Sequence, residues 1–291
     1  MSFLQSLGTH CGVDIDVLRL DLGNELAPGN KAFKLAPNIE AARRLGAETL
    51  VSFGGAWSNH LHALAAVANK QGYSSVAYVR GELADTAMLN DVQRWGMTLR
   101  FLSRSDYRRR FEPDFQAALV ADIRRPYLIP EGGANALGAS GCADILGLVP
   151  AGREYDQVYV ACGTGTTLAG LIGAYTGRGE LVGVPVLRGE SFLASDIDRA
   201  LAELGGRSCR WRLDHRFHCG GYAKVPSDLL HFIREFEERF AILLDPIYTG
   251  KLFRAIWTML IQGELAEGRR ILVIHTGGLQ GRRGFPELFS R

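Results

Sequence analysis

Three short segments carry residues whose types and spacing suit chemistry on a small anionic ligand. Gly163-Thr164-Gly165-Thr166-Thr167 is a glycine and threonine turn leading into a helical pattern. Such a turn surrounds a phosphate with backbone N–H donors, hydroxyls and the positive end of a helix dipole, although an ordinary strand-to-helix connection has the same composition. The dinucleotide fingerprint would need glycine at Leu168 and a P-loop would need lysine at Leu171, which leaves the phosphate of a small cofactor. Lys31 sits in Pro28-Gly29-Asn30-Lys31-Ala32-Phe33-Lys34-Leu35, where an irregular segment becomes a helix carrying Ile39, Ala42 and Leu45 on one face. The macrodipole disfavours a cation at a helix start, which gives a functional role weight against the plainer reading of a surface lysine with Lys34 as its solvated companion. Ser58 and Asn59 open a third helix, where free N–H groups can receive a carboxylate or where the pair simply caps the helix.

The elements that must position these residues are legible as alternating patterns. Short β-branched or aromatic runs at 48–53, 75–80, 98–102, 127–129, 157–162, 181–187 and 271–275 read as buried strands. Helical patterns follow most of them, Leu61 to Lys70 being the plainest, and the alternation predicts an α/β architecture with parallel sheets. In open sheets of this kind ligands sit beyond the carboxyl ends of strands. Three turns rich in small residues lie there: Phe53 to His60, Cys162 to Thr167, and His275-Thr276-Gly277-Gly278; all three are expected to converge on one crevice.

Composition narrows the function classes. With 33 basic and 31 acidic residues the charge is too balanced for a surface that releases counterions from nucleic acid, and no nucleic-acid partner is expected. The basic run Arg104 to Arg110 reads as a solvated helix face. Five scattered cysteines without a C-x-x-C pair suggest neither a disulfide framework nor a metal site, and fit a reducing cytoplasm. No apolar run is long enough to span a membrane and no export signal is visible, so neither membrane nor secretion is expected.

Placed in order along the chain, the segments resemble those of the fold-type II pyridoxal 5′-phosphate (PLP) enzymes, and within them the family of D-cysteine desulfhydrase and 1-aminocyclopropane-1-carboxylate (ACC) deaminase. The resemblance runs from about Leu18 to Gly278 and is carried by Gly29-Asn30-Lys31 with Lys34-Leu35, Ser58-Asn59-His60, Gly163 to Gly170, Asp245-Pro246-Ile247-Tyr248-Thr249-Gly250-Lys251, and His275-Thr276-Gly277-Gly278. It implies a tryptophan synthase β-like fold of two open parallel-sheet lobes with the active site between them: a large domain from 1–41 and 141–291, and a small one from 42–140. It also implies that PLP is held covalently by Lys31, that Asn59 bonds its ring hydroxyl, and that Gly163, Thr164, Gly165, Thr166 and Thr167 cradle its phosphate. Ser58 matches the active-site serine near the substrate amine and carboxylate, Tyr248 the tyrosine packed over the pyridine ring, and Tyr222 a second active-site tyrosine. His60 and His275 stay outside the catalytic set, and Arg19-Leu20-Asp21-Leu22 is read as structural. A small amino acid is the implied substrate and a homodimer the implied assembly.

In such enzymes the cofactor is the electron sink and the protein selects which bond breaks. The freed amine of Lys31 is then the base for the Cα proton, after which a leaving group departs from Cβ. ACC deaminases carry glutamate directly after the tyrosine of the Asp-Pro-x-Tyr motif, whereas this chain has Thr249; Thr276 is the implied neutral partner of the pyridine nitrogen, as in D-cysteine desulfhydrases. The expected reaction is therefore β-elimination, with D-cysteine giving pyruvate, ammonia and hydrogen sulfide. Phe33 replaces the family's usual arginine before Lys-Leu, and the stretch from Gly81 to Met97 is shorter than in the named enzymes. ACC ring opening, a PLP carrier or regulator without turnover, and a nucleotide-binding α/β protein with an exposed Lys31 are the alternatives.

Overall fold

The computed structural model describes residues 2–23, 27–188, 192–206 and 209–288. Its strands are β1 (Leu4–His10), β2 (Val13–Arg19), β3 (Thr49–Gly54), β4 (Ser74–Arg80), β5 (Met97–Leu102), β6 (Pro126–Ile129), β7 (Gln157–Cys162), β8 (Glu180–Pro185), β9 (Arg210–Leu213) and β10 (Arg270–His275). The helices are α1 (Asn30–Arg44), α2 (Asn59–Gln71), α3 (Ala87–Arg94), α4 (Arg104–Arg108), α5 (Pro113–Val120), α6 (Ala136–Ala143), α7 (Thr166–Ala174), α8 (Leu193–Glu203), α9 (Ser227–Phe240) and α10 (Thr249–Ile261).

The strands form two sheets. One runs β1-β2-β10-β7-β8-β9 and the other β5-β4-β3-β6. All pairings are parallel except β1 against β2, a hairpin that closes one edge of the larger sheet. Both sheets are covered on two faces, as parallel sheets require. In β7, Tyr159 and Ala161 join the core on one side while Val158, Val160 and Cys162 join the core on the other. In β3, Leu50 packs on one face and Val51 and Phe53 on the opposite one.

The seven expected strands are present, with one end corrected: β8 stops at Pro185 rather than Leu187. Three further strands, β1, β2 and β9, escaped the sequence reading because their charged or polar residues break the apolar pattern. In β2 the reason is visible: Asp16 is buried, and its carboxylate accepts from the Tyr155 hydroxyl at 2.9 Å and from Arg153 at 3.3 Å. A paired, hydrogen-bonded carboxylate is the form in which a charge survives burial. Leu45, expected on the apolar face of α1, is instead its exposed C-terminal cap. No helix among the described residues is long and apolar enough to cross a membrane.

Candidate active site

The carboxyl ends of both sheets face a cavity of about 550 Å³, and the three small-residue turns all contribute to its wall. Lys31, Ser58, Asn59, the turn Gly163 to Thr167, Tyr222, Tyr248 and Thr276 all line it.

Lys31 is the second residue of α1, and the backbone before it explains how it gets there. Gly29 caps the helix at φ 75° and ψ −151°, and a Cβ at this position would lie 2.0 Å from the carbonyl oxygen of Thr276. Only glycine permits that approach, and it lets the Asn30 N–H donate to the same oxygen at 3.1 Å. The start of α1 is thus fastened to the segment after β10. The Lys31 Nζ donates to Asn30 Oδ1 at 3.0 Å, and Asn30 Nδ2 donates to Thr167 Oγ1 at 2.9 Å. Asn30 therefore couples the amine to the threonine turn, a role the sequence reading did not assign. Burial, reinforced by the neighbouring charge of Lys34, brings the Lys31 amine down to about 7.

The threonine turn is built by Gly165, which caps α7 in the left-handed region at φ 73° and backs onto Ile197. Thr164 and Thr166 share a hydroxyl hydrogen bond of 2.8 Å. The N–H groups of the first turn of α7 have no carbonyl within the helix to bond, so hydroxyls and amides converge on one spot.

Lys34 corrects the sequence reading. Far from being a solvated companion, it is 3% exposed and lines the cavity, and no carboxylate or carbonyl among the described residues accepts from its ammonium. Burial lowers its pKa. A buried cation without a partner, beside a turn of hydroxyls and helix N–H groups, is a site for an anion. That chemistry fits the phosphate of PLP. A second orphan is an acceptor, which suits the ring hydroxyl and not the phosphate: Asn59 Oδ1 is buried with no hydrogen-bond partner among the described residues.

Ser58 stands at the helix start as its capping reading expects. It caps α2, accepting from the Leu61 N–H at 3.2 Å, and it also lines the cavity. His60 lies beneath the lysines, with Nε2 2.9 Å from Ser52 Oγ and Nδ1 without a partner among the described residues. Burial, then the charges of Lys31 and Lys34, push it down to about 3, so it is neutral.

Tyr248 is placed by Asp245, whose carboxylate accepts the Tyr248 N–H at 2.8 Å and the Thr249 N–H at 3.3 Å. Desolvation lifts this carboxyl to about 6 despite those bonds. Thr249 is fully buried and spends its hydroxyl on the Asp245 backbone, accepting from its N–H at 2.8 Å, whereas Thr276 faces the cavity. The rings of Tyr222 and Tyr248 meet edge-on with centroids 6.4 Å apart. Tyr222 is 41% exposed, so it is not a core residue. His275 is fully buried, bonded to the Leu243 carbonyl at 2.8 Å and 3.1 Å from Asp21, which Arg19 also holds. The segment Arg19 to Asp21 is therefore a buried support under the site.

The smaller sheet supplies a charged rim. Arg110 leaves the expected solvated face and turns into the cavity wall, where it bonds Glu131 at 2.8 Å.

The family description "Pyridoxal-phosphate dependent enzyme" matches residues 2–277. A D-cysteine desulfhydrase of Salmonella choleraesuis is 30% identical over 317 residues, covering 100% of this chain and 92% of that one. A mitochondrial bifunctional D-cysteine desulfhydrase/ACC deaminase of Arabidopsis thaliana is 29% identical, covering 93% and 73%. Among solved structures, an ACC deaminase homologue superposes with a TM-score of 0.85 at 29% identity, covering 98% of this chain and 91% of that one.

Proposed function

The chain belongs to the pyridoxal-phosphate dependent enzymes, and on that premise we propose that it catalyses β-elimination from D-cysteine, releasing pyruvate, ammonia and hydrogen sulfide. The observation that carries the reading is a lysine amine brought down to about 7, sharing one cavity with the threonine turn and the start of α2.

PLP would be held by Lys31 covalently, by Gly163 to Thr167 and Lys34 at the phosphate, by Asn59 at the ring hydroxyl, by Tyr248 against the ring and by Thr276 at the pyridine nitrogen. Bound there, it supplies the electron sink for charge developing at Cα. The protein's own part follows from its geometry. The N–H groups at the start of α2 and the Ser58 hydroxyl receive the substrate carboxylate. The Lys31 amine takes the Cα proton, since at neutral pH a large fraction of it carries a free electron pair. The Cβ–S bond then breaks and its electron pair leaves with sulfur, which departs as hydrogen sulfide; the three-carbon enamine left behind tautomerises to an imine, and one water hydrolyses its C–N bond to give pyruvate and ammonia. A hydroxyl at Thr276, rather than a carboxylate, supports the choice of elimination over ring opening.

Two lobes, 42–140 against the remainder, closing over the substrate and a homodimeric assembly complete the reading, supported by the resemblance; a cytoplasmic location rests on the scattered cysteines alone. Steady-state assays with D-cysteine, L-cysteine, β-chloroalanine, serine and ACC are expected to show pyruvate from D-cysteine and no 2-oxobutanoate from ACC. Release of 2-oxobutanoate from ACC at a comparable kcat/KM would assign the ring-opening reaction instead.

A further inference from the structure

Lys251 is the most anomalous charged residue outside the cavity. It is fully buried in α10, and no carboxylate among the described residues accepts from it. Its Nζ donates to two backbone carbonyls, Gly221 at 2.7 Å and Val186 at 3.3 Å. A methionine would fill this space without the cost of burying an ammonium, so the donor function has a purpose that packing does not explain.

Its two acceptors indicate that purpose. Val186 follows β8, and its N–H donates to the Cys162 carbonyl at 3.0 Å, at the root of the threonine turn. Gly221 belongs to a short loop whose backbone is almost wholly left-handed: Cys219 at φ 53°, Gly220 at 90°, Gly221 at 120° and Ala223 at 57°. Two of these are not glycine and hold that conformation at a cost. Such a loop relaxes unless something outside it holds it. Its internal bonds are few: Gly221 N–H to the His218 carbonyl at 3.0 Å, Lys224 N–H to the Gly221 carbonyl at 3.2 Å, and Gly220 N–H to His218 Nδ1 at 2.9 Å. Tyr222 sits in the middle of this loop, half-exposed at the cavity wall.

We infer that Lys251 is a positioning residue: its buried ammonium clamps the Gly221 carbonyl to the end of β8 and so holds the strained loop that presents Tyr222 to the cavity. The consequence for turnover rests on the elimination reading above, whereas the clamp itself does not.

The test is carried out on the holoenzyme with Lys251→Met, Tyr222→Ala and the double variant. Hydrogen exchange without substrate is expected to quicken about tenfold or more across 218–224 in Lys251→Met, while β7 and α7 stay at the wild-type rate. With D-cysteine, kcat/KM is expected to fall about tenfold or more in Lys251→Met and to fall no further when Lys251→Met is added to Tyr222→Ala. Unchanged exchange overturns the clamp whatever the substrate proves to be. A further full loss in the double variant overturns the route through Tyr222. If Lys251→Met does not fold, Lys251→Gln, which keeps a donor, is expected to fold and give intermediate exchange. If neither folds while Tyr222→Ala does, the lysine serves the whole fold and the inference is overturned.

Discussion

The two sheets bring unlike chemistry to the same cavity. The larger side, with β10, β7 and the start of α1, contributes Lys31, Lys34, the threonine turn, Tyr248 and Thr276: an amine, an anion site and their supports. The smaller side, with β3, β4 and β6, contributes Ser58 and Asn59 at a helix start together with the Arg110–Glu131 pair. Groups on the larger side are knit by direct bonds across long stretches of chain, as when Asn30 reaches Thr167. The smaller side presents one capped helix end and a rim. On the proposed reading the larger side anchors the cofactor and moves the proton, while the smaller side meets the cofactor's ring hydroxyl through Asn59 and recognises the amino acid through Ser58 and the start of α2.

The hardest blow to that division is Lys31→Ala. It is expected to lower kcat/KM by about 1000-fold or more, the scale of losing a positioned base and covalent anchor together. It should also abolish the cofactor mass adduct that survives borohydride reduction in the wild type; an adduct still attached elsewhere would place the chemistry on another residue. Lys34→Met should act on retention rather than turnover. Losing a charge-assisted bond of about 1.5–3 kcal/mol weakens PLP binding by roughly 10- to 100-fold, read by titrating apoprotein, with kcat at saturating cofactor near the wild-type value.

The same side has a pH signature. The Lys31 amine attacks the PLP aldehyde only when neutral, and its pKa in the folded chain is lowered to about 7, so PLP uptake by apoprotein is expected to quicken about tenfold from pH 6 to pH 8 and then level off. A rate still rising steeply above pH 9 would mean that the amine is not shielded. Folding stability responds to the same proton. Between about 7 and 10.5 the unfolded chain holds a proton on this lysine that the folded chain has given up, so apoprotein stability rises with pH across that window. On the smaller side Ser58→Ala should be mildest. About 1 kcal/mol of capping energy is lost, lowering Tm by a few degrees, and KM for D-cysteine rises about fivefold with PLP affinity unchanged. A drop in PLP affinity as large as that of Lys34→Met would erase the distinction between the two sides.

The helix-forming alanines of α2, the β-branched run of β7 and the small residues after β3, β7 and β10 each announce themselves locally, which is why the alternation and the three converging turns were legible. What failed to announce itself depends on burial. Asp16 masks β2 because its partners, Tyr155 and Arg153, are far along the chain. Arg110 lies in a run that reads as solvated, and only Glu131 draws it inward.

From the amino-acid order alone came the strand-turn-helix units, the three small-residue turns after strands, and the ordered set of motifs that marks a PLP enzyme. These are local properties, set by backbone freedom, propensity and pattern. Only the folded chain decided that Lys34 is buried without a partner, that Asn30 bridges amine and threonine turn, and that Lys251 grips the loop of Tyr222. Desolvation and a hydrogen bond between distant segments depend on which parts of the chain close over a group, and no window of neighbouring residues contains that information.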